Sequence, residues 1–361
     1  MNKNIYIVSG EASGDLHGSN LVAELLKDAQ ELTVYAWGGD KMKVAGAIIT
    51  KHYRELAFMG FIEVLKNLKT ILNNFKELKK DILAKKPSVV VLIDYPGFNL
   101  RMARWLKENG FHVIYYIAPQ AWAWKENRVK ELAKYTDELL VILPFEEEFF
   151  KSRGVHTEFV GHPLLNELEK EEKIYTPTPV ITLLPGSRKQ EVSTILPEML
   201  IMVSKFPNYS FKLAGMSHLG ESFYRDIIKT TPIEIVWDNA RLALKNASAA
   251  LVSSGTATLE TALLNVPQVV CYKGSWMNYQ IGKRLIRVPY ISLVNLIFGT
   301  MIVKELIQED LNESNLFREL SIILHPDHRV KIQNDYHVLS QMLGVKDASK
   351  IVAQKILNSI T

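Results

Sequence analysis

Apolar and polar positions alternate along this chain in blocks rather than singly. Predominantly apolar runs occur at residues 5–8, 33–37, 89–93, 113–117, 139–143 and 158–160, and again at 180–184, 211–214, 233–237, 249–252 and 269–272. Between them lie stretches of helical periodicity, among them 99–109 and 125–134. Continuous apolar runs are the mark of strands covered on both faces, and so predict parallel sheets with helices above and below. The alternation pauses once. Residues 161–179 hold Pro163, the charged stretch 167–173 and Thr176-Pro177-Thr178-Pro179, which reads as a connector. The pattern predicts an α/β chain of two doubly wound, Rossmann-like domains facing a cleft. They span residues 1–165 and 180–345, with a linker at 166–179 and a C-terminal helix at 346–361 of undecided placement.

Composition narrows the class. With 47% hydrophobic and 23% charged residues, 361 residues suffice for two cores, and disorder is excluded. A net charge of +4 is too mild to imply nucleic acid, and no nucleic-acid motif is visible. The single cysteine, Cys271, rules out an intrachain disulfide and a cysteine-based metal cluster. The opening strand runs straight into a glycine turn without the long apolar region and cleavage site of a signal peptide. Nor does any run approach the ~18 apolar residues of a membrane span. The expected setting is a reducing cytoplasm.

In sheets of this kind ligands bind at the carboxyl ends of the strands, where the turns of this chain carry its chemistry. The run at 249–252 leads into Ser253-Ser254-Gly255-Thr256-Ala257-Thr258-Leu259-Glu260, a small-residue turn opening a helix. Such a turn points free backbone N–H groups outward, and the helix N-terminus favours negative charge. Glu260, one turn in, could accept hydrogen bonds from paired sugar hydroxyls. A second turn of this design, Leu184-Pro185-Gly186-Ser187-Arg188, adds a guanidinium fork suited to phosphate oxygens. Each turn alone reads equally as an ordinary strand-to-helix connection; as a pair they suit a nucleoside diphosphate.

The first half has its own turn, Ser9-Gly10-Glu11-Ala12-Ser13-Gly14-Asp15-Leu16-His17-Gly18. Its glycines match neither the dinucleotide fingerprint nor a Walker A loop, which disfavours nicotinamide and ATP enzymes. Glu11 suggests a polar acceptor group more than a phosphate, and Asp15 reads as a cap for the following helix. Asp94 ends the apolar run 89–93, with Pro96 and Gly97 behind it. Desolvation there would raise its proton affinity, as a general base requires, while an Asx turn or helix cap is the structural alternative. Trp122 and Trp124 stand beside another strand end. His162 closes the last run of this half, as a phosphate ligand or a hinge.

Seven blocks, quoted in chain order, resemble one family. They are Ser9-Gly10-Glu11-Ala12-Ser13-Gly14-Asp15, Met59-Gly60-Phe61-Ile62-Glu63-Val64-Leu65, Pro119-Gln120-Ala121-Trp122-Ala123-Trp124, Phe159-Val160-Gly161-His162-Pro163, Leu183-Leu184-Pro185-Gly186-Ser187-Arg188, Ser254-Gly255-Thr256-Ala257-Thr258-Leu259-Glu260 and Ser292-Leu293-Val294-Asn295-Leu296. They resemble the lipid-A-disaccharide synthases. The resemblance fades after about residue 310. It implies the GT-B glycosyltransferase fold and an inverting, metal-independent transfer with no cofactor. The substrates it implies are a UDP-2,3-diacylglucosamine donor and a 2,3-diacylglucosamine 1-phosphate acceptor, joined β-1,6 with release of UDP. The absence of an Asp-x-Asp motif agrees.

Residue by residue, the resemblance assigns Arg188 to the UDP pyrophosphate, Glu260 to the ribose and Asn295 to the nucleotide's vicinity, and the turn residues Gly186, Ser187, Gly255 and Thr256 complete the expected substrate-binding set. It assigns Asp94 to turnover and Glu11 to the acceptor side, leaving either as the base. Many relatives carry a second acid at the position of Gly97, which puts more weight on Asp94 here. A UDP-sugar 2-epimerase of the same fold, or a non-catalytic sugar-nucleotide-binding module, remain the alternative readings.

Acylated substrates imply work at a membrane surface. At residues 61–80, Phe61, Val64, Leu65, Leu68, Ile71, Leu72, Phe75 and Leu78 share one helical face, with Lys66, Lys69, Lys76, Lys79 and Lys80 elsewhere. A helix covering a sheet shows the same stripe. Given the implied substrates, the expectation is a peripheral protein on the inner face of the cytoplasmic membrane, with a homodimer left open.

Overall fold

The computed structural model describes residues 3–56, 68–123, 126–168, 179–274, 288–344 and 347–360. The family-like block at 59–65, Trp124 and most of the predicted connector lie outside them. The chain forms two compact units, residues 1–166 with 343–361, and residues 167–342.

The first unit is a seven-stranded parallel sheet. Its strands are β1 (Asn4–Val8), β2 (Thr33–Gly38), β3 (Ile48–His52), β4 (Val89–Ile93), β5 (His112–Tyr116), β6 (Glu138–Val141) and β7 (Thr157–Phe159), in the order β3-β2-β1-β4-β5-β6-β7. The second unit is a six-stranded parallel sheet of β8 (Val180–Leu184), β9 (Ser210–Gly215), β10 (Glu234–Trp237), β11 (Ala247–Ser253), β12 (Gln268–Tyr272) and β13 (Lys304–Ile307), in the order β10-β9-β8-β11-β12-β13. Every predicted run is a strand. In both sheets the strand order reverses beside the first strand of the unit, which opens a crevice at the carboxyl ends.

Burial explains the unbroken apolar runs. In β1, Tyr6 and Val8 join the core on one face of the sheet while Ile5 and Ile7 join that on the other. β4 divides likewise, Val90 and Leu92 against Val89, Val91 and Ile93. Both faces are covered, so no polar alternation survives. Two strands escape the hydrophobic pattern, and both lie at sheet edges. β3, Ile-Ile-Thr-Lys-His, contains no fully buried residue, and β13 carries Lys304 and Glu305. Half-covered edge strands tolerate charge, so their apolar signal is weak.

The C-terminal helix Ala348–Ile360 packs on the first unit, although the second precedes it in sequence. Val352, Ala353 and Ile356 are fully buried with Leu21, Val22 and Leu25 of the helix Ala12–Asp28. Its approach is held by Asn166, whose side chain accepts from the Asp347 N–H (2.6 Å), and by the His162 N–H, which donates to the Leu343 carbonyl (3.0 Å). Gly344 allows this contact: a Cβ there would lie 3.2 Å from the Gly161 Cα at φ +86°. Ile356→Ala should therefore destabilise the first unit by about 2–5 kcal/mol, read as a lower denaturant midpoint in equilibrium unfolding.

Candidate functional site

Each unit gathers its polar chemistry at the carboxyl ends of its strands. In the second unit β8 and β11 are parallel neighbours, with Leu184 opposite Val252. The turns that follow them are therefore held side by side, and each opens a helix, Lys189–Lys205 and Thr256–Leu263. Between them is a cleft of about 320 Å³ lined by Gly186, Ser187, Arg188, Glu191, Gly255 and Thr256, with Ala214, Met216 and Ala240 on its apolar side. Gly186 (φ +110°) and Gly255 (φ +153°) take conformations that L side chains rarely adopt. Two helix N-termini and one exposed guanidinium, Arg188, thus face one cavity, an arrangement suited to a diphosphate.

The other two residues assigned to the nucleotide sit differently. Glu260 is not among the cleft-lining residues. Its carboxylate pairs with the Arg241 guanidinium, which also reaches Glu167 at 2.5 Å. Asn295 is fully buried. Its Nδ2 donates to the Val303 carbonyl and to Glu305 (both 2.9 Å), and its Oδ1 accepts from the N–H groups of Ile302 (2.9 Å) and Val303 (3.0 Å). Glu305 in turn accepts from the N–H groups of Ile291 and Ser292 (both 3.0 Å), and the Ser254 hydroxyl donates to the Ile291 carbonyl (2.8 Å). Asn295 thus braces the segment on which the Gly255 turn leans, and its own amide is fully engaged. Arg241, which orients Glu260, escaped sequence reading because its partners lie 19 and 74 residues away.

In the first unit Asp94 follows β4 with φ +44°, and Tyr95 follows with φ +49°. Two consecutive left-handed residues other than glycine cost about 1–3 kcal/mol each, and persist only where neighbours enforce them. Here Asn99 Nδ2 donates to the carbonyls of Ile93 (3.1 Å) and Asp94 (2.8 Å), the Tyr115 hydroxyl donates to the Asp94 carbonyl (2.7 Å), and the Asp94 N–H donates to Tyr116 (3.0 Å). The Tyr95 ring lies so close to Gly10 that a Cβ there would come within 2.4 Å of it. Gly10 is thus required by the ring that follows Asp94. A Cβ at Gly97 would meet nothing within 4 Å, so the site has room for the side chain that this sequence lacks there.

Burial pushes the Asp94 carboxyl up to about 6, reinforced by the charge of Glu11 and opposed by the Tyr95 N–H and Arg128. Glu11 is the N-cap residue of the helix Ala12–Asp28 and makes no capping bond with its side chain. The sequence predicts Asp15 as the cap of that helix, and the structure corrects this. Asp15 lies buried within the helix's first turn and accepts from the N–H groups of Gly39 (2.7 Å), Lys41 and Met42 (both 3.1 Å), capping the neighbouring helix Asp40–Val44 instead. A third acid, missed in the sequence, is Glu146. It is buried after β6, accepts from the Trp122 indole N–H (2.9 Å) and the Leu143 N–H (3.2 Å), and burial raises it to about 7. The Leu-Pro-x-Glu signature of a helix start was its only local signal. His162 is buried and held down to about 3 by desolvation and His17, and its Nδ1 accepts from the Leu164 N–H (3.2 Å). A neutral, engaged imidazole serves the chain as a bracket, not as a cationic phosphate ligand.

Comparison with known proteins identifies the family. The model of the lipid-A-disaccharide synthetase family matches residues 5–357. A lipid-A-disaccharide synthase from Syntrophus aciditrophicus is 40% identical over 99% of this chain and 98% of its own. One from Geobacter metallireducens is 35% identical over the same shares. The chain belongs to the lipid-A-disaccharide synthase family. It is a glycosyltransferase. Solved structures supply the fold class: a UDP-GlcNAc 2-epimerase from Neisseria meningitidis bound to UDP-GlcNAc superposes with a TM-score of 0.69 at 13% identity, covering 98% of this chain and 100% of that one. The calicheamicin glycosyltransferase CalG4 superposes with a TM-score of 0.64 at 16% identity over 99% and 98%. At such identities the likeness speaks for the GT-B fold alone.

The raised Asp94 has a consequence for stability. A carboxyl lifted from 3.8 to about 6 favours the folded state below pH 4, and this contribution is lost as pH rises through 6 and the buried group ionises. Asp94→Asn, which cannot ionise, should be more stable than the parent at pH 8 by about 1–3 kcal/mol, and the gain should vanish near pH 4. Thermal unfolding across that range measures it.

Proposed function

We propose that this glycosyltransferase joins UDP-2,3-diacylglucosamine to 2,3-diacylglucosamine 1-phosphate, forming a β-1,6 linkage and releasing UDP. The observation that carries the reading is the convergence of the Gly186-Ser187-Arg188 and Gly255-Thr256 turns on one cleft. In the transition state negative charge grows on the departing β-phosphate. Preorganised N–H groups at two helix N-termini, with Arg188, stabilise that charge without calling on a metal or other cofactor. Glu260, oriented by Arg241, accepts from the ribose hydroxyls, while Asn295 acts through the segment it braces. Asp94 takes the proton from the primary hydroxyl of the acceptor as it attacks the anomeric carbon. Attack opposite the leaving group inverts that centre. An aspartate titrating near 6 is both ionised at neutral pH and basic enough for the task, with Glu11 as the alternative on the acceptor side.

The acyl chains of both substrates place the work at the inner face of the cytoplasmic membrane. Among the described residues no helix is long and apolar enough to cross a bilayer, so contact would be peripheral. The helix Leu68–Lys85 supports this with a divided stripe. Phe75 and Leu78 belong to the core, as a sheet-covering helix requires. Leu72 (53% exposed) and Leu83 (50%) instead face outward, eleven positions apart on one side, near exposed Lys76 and Lys80. Exposed leucines among lysines suit an anionic leaflet.

Two outcomes test this reading. UDP release should require both the acylated donor and the acceptor, and Asp94→Asn should lower turnover by about 10²–10⁴-fold with UDP affinity little changed. Sugar isomerisation of the donor without acceptor would indicate an epimerase instead. Replacing Leu72 and Leu83 with Ser should reduce sedimentation with phosphatidylglycerol vesicles at unchanged melting temperature. Undiminished sedimentation would place the membrane contact elsewhere.

A further inference from the structure

Glu191 occupies the seat that the nucleotide reading gives to a phosphate. Its Oε2 accepts from the backbone N–H groups of Ser187 (3.3 Å) and Arg188 (3.4 Å), and its Oε1 accepts from Arg188 Nη1 (3.0 Å). A Cβ on Gly186 would lie 2.6 Å from that same Oε2, and Glu191 lines the cleft. A glutamate three residues into a helix ordinarily reaches back to the one N–H of the N-cap residue. This one also bridges the preceding N–H and the guanidinium, three donors that the Gly186 turn would otherwise offer an anion. Its backbone bonds are long, hence weak, and its side chain is about a third exposed, so it can swing out at little cost.

We propose that Glu191 is a built-in occupant of the diphosphate seat, displaced when UDP or its sugar conjugate binds and returning as UDP leaves. The proposal rests on the assignment of this cleft to the nucleotide. Carboxylate and phosphate cannot share one set of donors, and two anions about 4 Å apart repel even in water. Glu191 thereby weakens binding of the nucleotide and opposes retention of the product. It also keeps Arg188 oriented between turnovers.

Calorimetric titration of the full-length protein with UDP and with uridine tests this. Glu191→Gln keeps the capping acceptor and removes the charge, and should bind UDP about fivefold more tightly, with uridine affinity unchanged. Product inhibition by UDP should strengthen in step. Glu191→Ala, which loses cap and charge together, should show the same gain even if its melting temperature falls. Unchanged or weaker UDP binding by Glu191→Gln, with the parent binding UDP and Arg188→Ala binding it poorly, would show that Glu191 is a helix cap and overturn the proposal. Absence of UDP binding by the parent, or full binding by Arg188→Ala, would instead overturn the assignment of the cleft itself.

Discussion

Parallel pairing of β8 with β11 is the constraint on which the second unit's chemistry depends. Parallel strands send all their carboxyl ends to one edge, and each must be followed by a crossover helix whose first N–H groups have no partner within the helix. Two such ends side by side double the unsatisfied donors and add the dipoles of two helices. Glycines at 186 and 255 let the backbone make these turns, and Arg188 adds an exposed charge. The cleft is thus a by-product of sheet topology sharpened by a few side chains. In the structure Glu191 supplies an anion to one of its two turns.

The first unit solves the opposite problem at the equivalent edge. Instead of donors awaiting an anion it gathers carboxyl groups, with Glu11 after β1, Asp94 after β4 and Glu146 after β6. Burial and mutual repulsion raise the proton affinity of Asp94 and Glu146 by preferring the neutral form. Asp94 is held there by a backbone conformation that Asn99 and Tyr115 enforce with hydrogen bonds to carbonyls. Stability is thereby given up at Asp94, the residue we propose as the base. That is the usual condition of a working site and a poor one for a merely structural aspartate.

Packing also decides what surfaces are for. The helix Leu68–Lys85 has to cover a sheet, and Phe75, Leu78 and Ile82 do so. Leu72 and Leu83 are left over by that requirement and stay exposed, and the membrane contact we propose rests on them. The terminal helix shows the same economy. By packing Val352 and Ile356 against the helix after β1 it completes a core begun at the other end of the chain.

The alternation of strands and helices, the two-sheet fold and the family were legible in the sequence, because periodicity and turn chemistry are local properties of neighbouring residues. So were the positions of Asp94, Arg188, Gly186 and Gly255, each announced by a strand ending in a turn. The edge strands β3 and β13 were not, since half-exposed strands need not be apolar. What only the tertiary structure decided are partners distant in sequence. Asp15 caps a helix beginning 25 residues on, Arg241 bridges Glu167 and Glu260, Asn295 spends its amide on a loop rather than facing the cleft, and residues 343–360 return to the first unit. A side chain's type fixes what it can bond. Which donors it finds within about 3 Å depends on how the whole sheet closes around it.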